Sequence, residues 1–496
     1  MGIKSFLARP YAALVHRQIN KWNLEAVRAQ EFLFHKLINQ AKKTAFGKEH
    51  GFNEITSHDD FVKRVPIRDY ESLIPYIEKI KAGESNVLWP GTPFYLAKSS
   101  GTTSGIKYIP ITKESIPNHI NSARNALLLY INEKNNSAFV NGKMIFLSGS
   151  PVLENIQGIL TGRLSGIVNH HVPKYLKANQ LPSFKTNCID DWENKIDAIV
   201  EETFDQNMTL ISGIPPWIQM YFEKLLKKTG KQTIKEIFPD FQLLIYGGVN
   251  FEPYRAQLFK TIGEQIDCIE TYPASEGFIA YQDSQKEKGL LLNVDSGIFF
   301  EFIPTNNVYD ENPERLTIKD IELDVNYALI INSNAGLWGY LIGDTVKFVS
   351  KNPYRIIVTG RIKHFISAFG EHVIAEEVES ALMELCNTEN VQVTEFTVAP
   401  QVNPTQGLPY HEWLIEFSEV PVDLISFRNQ LDLLMQKKNI YYKDLLTGNI
   451  LEPLHITCLP KESFRNYMKS VGKLGGQNKV PRLTNDRILA DALMSL

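Results

Sequence analysis

The sequence predicts an α/β protein: a large N-terminal domain built on mostly parallel strands, followed by a small C-terminal α+β domain. Three observations carry this. Between residues 140 and 280, short continuous apolar runs end in glycine or small polar residues, the pattern of strands buried on both faces. The segments PPWIQMYFEKLLKKTG and FEPYRAQLFKTIG between them each carry an apolar stripe and close on glycine, as connecting helices do. After Gly360 the pattern changes to short alternating strands and one amphipathic helix.

In chain order, the first ninety residues read as a helical packing layer, with Leu24, Val27, Phe32, Leu33 and Leu37 near helical spacing. Two strands, PFYLAK and IKYIPI, then flank SSGTTSG, which places five hydroxyl side chains and two glycines in Ser99 to Gly105. Such a loop leaves backbone N–H groups free to curl around an anion, with phosphate the first candidate and a plain flexible connector the alternative. It is not the familiar phosphate loop. Three residues separate Gly101 from Gly105, Lys107 comes one position late, and a strand follows where that motif needs a helix.

Thr112 is the expected N-cap of a helix over Lys113 to Ile131, with Ile116, Ile120 and Arg124 four apart along one face. MIFLSGS, MTLISGIPPW, FQLLIYGGV and IDCIETYPASEG are the expected parallel strands. Ligands bind beyond the carboxyl ends of such strands, so Ser212-Gly213, Gly247-Gly248 and Tyr272 to Glu276 should share one edge. The domain boundary is expected near Arg361 to Lys363, giving domains 1–360 and 361–496. The second holds HFIS, a helix with Ile374, Val378, Ala381, Leu382 and Leu385 on one face, and the strands VQVTEFTV and HEWLIEF, the latter alternating Trp413, Ile415 and Phe417.

A net charge of −4, from 52 basic and 56 acidic residues, leaves no electrostatic footprint for nucleic acid or an anionic membrane, so any anion site must be local. Cys188, Cys268, Cys386 and Cys458 lie far apart without a C-x-x-C pair, which suits a reducing cytoplasm. No apolar run reaches eighteen residues, and Phe6 stands where a myristoylation signal wants Ser or Thr. The sequence reads as a soluble cytoplasmic protein with no membrane partner.

SSGTTSG, TYPASEG at 271–277, YLIGD at 340–344, TGRIKHFISAFGEHVIAEEVE at 359–379 and KLGGQNKVPRL follow one another along the chain. In that order they resemble the acyl-adenylate-forming superfamily of acyl-CoA ligases and luciferases, and within it most the auxin-responsive Gretchen Hagen family of acyl acid amido synthetases. The resemblance implies ATP and Mg²⁺ as cofactors. It implies that Ser99, Ser100, Gly101, Thr102, Thr103 and Ser104 wrap the triphosphate and that Glu276 holds Mg²⁺. Tyr272, with Ser275 nearby, would stack on adenine, and Gly247 and Gly248 would give the base room. Asp344 would take the ribose hydroxyls, since a carboxylate has acceptors for both. Arg361 would hold the ribose from the hinge, and Lys479 would be the mobile lysine that meets the α-phosphate.

Each residue has a plainer reading beside this one: a solvated carboxylate for Glu276, a core ring for Tyr272, an ordinary Gly-Asp turn for Asp344, an exposed loop lysine for Lys479. Two positions depart from the pattern: Leu341 stands where the family often has arginine, and His364 where acyl-CoA ligases carry aspartate. Ile120, Arg124, Ile214 and Trp338 are candidates for the acyl pocket, although core packing, or for Arg124 a surface stem, explains them equally well. The implied function is an ATP-dependent ligase that adenylates a carboxylic acid and passes the acyl group to an amine, an amino acid foremost. An acyl-CoA synthetase is the close alternative, and a non-catalytic nucleotide sensor a third.

Overall fold

The computed structural model describes residues 3–102, 105–172, 177–189, 191–248, 251–308, 310–362, 365–366, 368–371, 373–471 and 480–495. They form two compact units: Lys363–Leu496 with Asp191–Glu193 and Val249–Tyr254, and the remainder up to Ile362.

The larger unit opens with helices α1 (Ile3–Leu24), α2 (Ala26–Ala41), α3 (Ala45–Glu49), α4 (His58–Arg64) and α5 (Tyr70–Lys81). Ser57 and Asp60 close a capping box on α4, and Asp69 caps α5. The stripe that α2 buries runs Ala26, Gln30, Leu33, Phe34, Leu37, Ile38, Ala41. Leu33 and Leu37 belong to it as expected, whereas Leu24 and Phe32 face solvent at 76% and 70% exposure. The polar member of the stripe, Gln30, acts as a splint. Its Nε2 donates to the carbonyls of Val294 and Ile298 at 2.7 and 2.9 Å, and its Oε1 accepts the Phe300 N–H at 2.9 Å.

Strands β1 (Tyr95–Thr102) and β2 (Gly105–Ile111) form an antiparallel hairpin, extended by β5 (Ile159–Arg163), parallel to β1, and then β4 (Glu154–Ile156). Next in the chain after the hairpin, α6 (Ile116–Lys134) packs against α1 and against strands of the main sheet. The helix starts three residues later than expected, with Ser115 at the N-cap position, and Thr112 instead braces the turn before it: its Oγ1 accepts the Ser115 N–H at 3.1 Å, and Ser115 Oγ accepts the Thr112 N–H at 2.9 Å.

Among the described residues, eleven strands make the main sheet. β3 (Lys143–Phe146), β6 (Gln180–Leu181), β7 (Met208–Ser212), β8 (Leu243–Gly247) and β9 (Asp267–Ala274) are its parallel half, in the order β6-β3-β7-β8-β9. The connecting helices behave as the sequence implies. Pro215–Thr229 starts on proline and ends at Gly230 with φ +69°, and Glu252–Ile262 ends at Gly263 with φ +97°. Beyond β9 the pairing turns antiparallel through β10 (Gly277–Tyr281), β11 (Leu290–Leu292), β15 (Tyr354–Arg361), β14 (Tyr340–Lys351), β13 (Asn326–Ser333) and β12 (Ile298–Pro304). The sheet is therefore mixed, and the parallel reading describes the half that carries the strand-helix alternation.

In the smaller unit, β16 (Phe365–Ile366) pairs with β17 (Val373–Ile374), and β18 (Val393–Gln401), β19 (Tyr410–Phe417) and β20 (His455–Cys458) form a second sheet. Helix Ala375–Glu389 buries Val378, Ala381, Leu382 and Leu385. β19 does not alternate as expected: His411 to Phe417 are all buried, because the strand is central and covered on both faces. Its polar side chains are accordingly paired, His411 Nε2 with Glu371 at 2.8 Å and Glu412 with Arg487 at 2.7 Å. Among the described residues no helix is long and apolar enough to cross a membrane.

Candidate active site

The parallel register brings Gly247 of β8 beside Thr271 of β9, one residue before Tyr272. Gly247 admits no side chain, since a Cβ there would stand 2.3 Å from the Thr271 carbonyl oxygen. Gly248 follows with φ +81°, and the nearest atom to a Cβ at that position is Cγ2 of Ile214, at 3.6 Å. Gly247, Gly248, Tyr272 and Ile214 thus share one edge of the sheet.

The turn between β9 and β10 consists of Ser275 and Glu276. Glu276 is only 8% exposed, and the Tyr340 phenol donates to its Oε1 at 3.2 Å. Burial first, and then the neighbouring Glu276 carboxylate, push the Tyr340 phenol well above its ordinary pKa, so it stays a donor. Asn118 of α6 fixes the start of β10: its Oδ1 accepts the Phe278 N–H at 2.6 Å and its Nδ2 donates to the Phe278 carbonyl at 3.2 Å.

On β14, Ile330 of β13 pairs with Leu341 and Ala328 with Thr345, so Ile342 to Asp344 form a bulge against a single residue of the neighbour. Gly343 takes φ +92° within it. The bulge presents Asp344, 5% exposed, and the Tyr272 phenol donates to its carboxylate. Arg361 lies opposite Asp344 in the β14–β15 register. Leu341, where the resemblance suggests arginine, sits in the strand and donates its N–H to the Arg68 carbonyl at 2.8 Å.

Ser99 to Thr102 complete β1 and Gly105 begins β2, with Thr102 opposite Gly105; Thr103 and Ser104 lie outside the described residues. The strand character therefore extends through most of the expected loop. Tyr70 ties this hairpin to the rest of the site. Its hydroxyl accepts the Tyr108 N–H at 2.7 Å, and two residues earlier Arg68 pairs with β14 beside Tyr340. Lys479 and His364 fall outside the described residues.

Of the acyl-pocket candidates, Ile120 is half-buried on α6. Arg124 is turned elsewhere: its guanidinium donates to Asn125 Oδ1 at 3.1 Å and lies 5.8 Å over the Tyr11 ring. Trp338 is wholly enclosed, with Nε1 donating to the Leu88 carbonyl at 3.0 Å and its ring among Phe46, Phe52 and Trp89. The structure gives it a packing role.

The GH3 family N-terminal domain is matched over residues 15–266, its central domain over 291–361 and its C-terminal domain over 376–488. The chain belongs to the GH3 family. A jasmonoyl–L-amino acid synthetase of Nicotiana attenuata is 23% identical across 77% of this chain and 78% of its own length. An indole-3-acetic acid-amido synthetase of Arabidopsis thaliana is 21% identical across 91% and 88%. The solved structure of an acyl acid amido synthetase in complex with 2,4-DB superposes with a TM-score of 0.63 at 15% identity, covering 98% of this chain and 96% of that one. A 2-hydroxyisobutyryl-CoA ligase gives 0.59 at 14% identity, over 95% and 92%. At these identities the structural likeness speaks for the fold alone. Within this GH3 chain, sequence reasoning missed Tyr340, Tyr70 and Asn118, the residues that orient Glu276 and the hairpin. Tyr340 opens the YLIGD motif, yet a tyrosine in an apolar strand reads as core until its partner is visible.

Proposed function

We propose that this GH3 chain is an ATP-dependent, AMP-forming ligase that adenylates an organic carboxylic acid and transfers the acyl group to the amine of an amino acid. One observation carries the reading: two nearly buried carboxylates, Glu276 and Asp344, each held by a tyrosine phenol, converge at the ligand edge of one sheet. A nearly buried carboxylate suits a cation, and its two acceptor oxygens suit a diol.

Asp344 accepts from the ribose hydroxyls, and the Tyr272 ring flanks adenine over Gly247 and Gly248. The residues fit Mg²⁺, which keeps most of its waters and takes one or two carboxylates plus phosphate oxygens. Tyr340 bonds Oε1 of Glu276, and among the described residues no cluster of three or more His, Cys, Asp or Glu forms a complete metal cage. Bound at Glu276, the ion would offset the phosphate charge as acid and ATP meet. The backbone of Ser99 to Ser104 cradles the triphosphate, Arg361 reaches the ribose, and Lys479 meets the α-phosphate while the acid attacks and pyrophosphate leaves. Ile120 and Ile214 line the acid. Residues 361–496 then turn about the hinge, the neutral amine attacks the acyl carbonyl, and AMP departs.

Four free thiols and the absence of a basic face favour the cytoplasm as the site of action. The reading is tested by incubating the protein with a panel of carboxylic acids, ATP and Mg²⁺. Acid-dependent AMP and pyrophosphate support it, and acid-dependent ADP rejects it.

A further inference from the structure

On the far side of α6 lies a cleft of about 410 Å³, a volume common to small-molecule sites. Pro117, Asn121 and Arg124 line it at helical spacing i, i+4 and i+7, away from the face of Ile116 and Ile120. It thus lies away from Ile120, the α6 residue proposed above to line the acid.

The floor of the cleft is polar and pre-set. Asn118, Ser122 and Asn293 are all buried there, and Asn293 Nδ2 donates to Ser122 Oγ at 2.6 Å and to the Phe278 carbonyl at 3.2 Å. These bonds fix the amide, while Asn293 Oδ1 takes no hydrogen bond from any described residue. Asn293 lines the cleft, so its Oδ1 offers an acceptor to whatever enters. Trp22, Leu33 and Leu37 add an apolar wall.

The mouth carries both signs of charge. Lys36 and Arg124 are cationic, Asp295 and Glu114 anionic. Lys36 and Asp295 sense one another, since burial raises the Asp295 carboxyl and Lys36 pulls it back, yet the two make no ion pair. A simple anion would meet two carboxylates here and a simple cation two basic groups. A molecule bearing both charges meets each opposite.

We propose that this cleft is a second small-molecule site that binds a zwitterion of the free amino acid class. Its carboxylate faces Lys36 and Arg124, its ammonium faces Asp295 and Asn293 Oδ1, and its side chain rests on the Trp22 and Leu37 wall. The assignment stands whether or not an amino acid is also the acyl acceptor.

The test is calorimetric titration of the full chain, without ATP or acid, with each of the twenty amino acids and with acetate and methylammonium as singly charged probes. At least one amino acid should bind where both singly charged probes fail. Lys36→Ala and Asp295→Asn should each weaken that binding by roughly tenfold or more, the scale of losing one charged hydrogen bond. Both residues are at the cleft mouth, so the variants should keep the wild-type melting temperature and the wild-type rate of acid-dependent pyrophosphate release. Absence of amino acid binding overturns the proposal. So does binding indifferent to both substitutions, which would assign it to the acceptor site and leave the ligase reading intact.

Discussion

The phenol of Tyr272 on β9 donates to the carboxylate of Asp344 on β14, although β10, β11 and β15 stand between them in the sheet. At a spacing of about 4.8 Å per strand, a flat sheet would hold the two about 19 Å apart. The sheet therefore curls. Three-residue β11 joins β10 to β15 only at the end remote from the site, and beyond it those strands part. The edges of β9 and β14 close over the gap.

Tyr272→Phe keeps the ring and removes the donor. If the phenol orients Asp344 for the ribose, the KM for ATP should rise by roughly tenfold, the scale of one hydrogen bond to a charged group, with a smaller change in kcat. Asp344→Asn should weaken nucleotide binding at least as much. Unchanged ATP titrations in both folded variants would contradict the ribose assignment.

Glu276→Gln preserves shape but removes the charge that would hold Mg²⁺. Acid-dependent pyrophosphate release should fall by roughly a hundredfold or more, the scale of losing one transition-state electrostatic contact. Tyr340→Phe frees the carboxylate without neutralising it, so its effect should be milder and should yield partly to added Mg²⁺. Wild-type rates in both variants would move the nucleotide site elsewhere.

Much of this is legible in the sequence. Strands β7 and β8 and their helices are punctuated by Pro215, Gly230 and Gly263, residues whose backbone limits dictate where helices start and stop. Glu276 stands out because it follows a strand at the ligand edge, and Asp344 because it follows Gly343 in the YLIGD motif, although the strand runs on past it to Lys351. The contact between Tyr272 and Asp344 was not legible, because it depends on sheet curl, which no local pattern encodes. Arg124 misled for a simpler reason. Each step of four residues overshoots a full helical turn by about 40°, so two steps from Ile116 carry it about 80° off that face. β19 misled because alternation marks a half-buried strand, whereas a central strand can bury charges if each has a partner.

Glu301 offers a test of stability independent of catalysis. Fully buried, it accepts from Arg315 Nε and Nη2 at 2.9 and 2.5 Å, from Asn332 at 2.7 Å and pairs with His58 at 2.7 Å. Burial alone would raise its pKa, but Arg315 and His58 outweigh that and hold it at about 2 against an ordinary 4.5. The folded state thus binds fewer protons than the unfolded one in this window. Its stabilising contribution is complete above 4.5 and drains away as pH falls toward about 2. Glu301→Gln should cost about 3–5 kcal/mol at neutral pH, because Arg315 is left buried and unpaired, and should flatten the acid limb of urea-unfolding stability against pH.

Lys479 is proposed, by family resemblance, to serve the first half-reaction. Lys479→Ala should depress acyl-AMP formation from acid and ATP while leaving the reaction of preformed acyl-AMP with an amine nearly intact. Equal loss in both halves would contradict a role confined to the α-phosphate.

The acceptor is the remaining choice between two chemistries built on one adenylating site. A thioester-forming enzyme must dock a large polyanionic carrier, and residues 361–496 offer only scattered basic groups such as Lys437-Lys438, and Lys461 with Arg465. Lys438 already pairs with Glu384 at 3.0 Å and Arg465 with Glu462 at 2.9 Å, so neither is a free cation for a phosphate. An amino acid asks only for a small polar cavity beside the acyl carbonyl. Its amine attacks in the neutral form, so the transfer half-reaction should quicken as pH rises toward the amine pKa, while adenylation should not follow that curve. The deciding measurement loads the enzyme with acid and ATP, divides the sample, adds coenzyme A to one part and the twenty amino acids to the other, and reads both by mass. Amide in the second and no thioester in the first is the expected result. Thioester without amide would transfer the chain to the acyl-CoA ligase chemistry and leave the roles of Glu276, Tyr272 and Asp344 unchanged, since both chemistries begin from the same acyl-AMP.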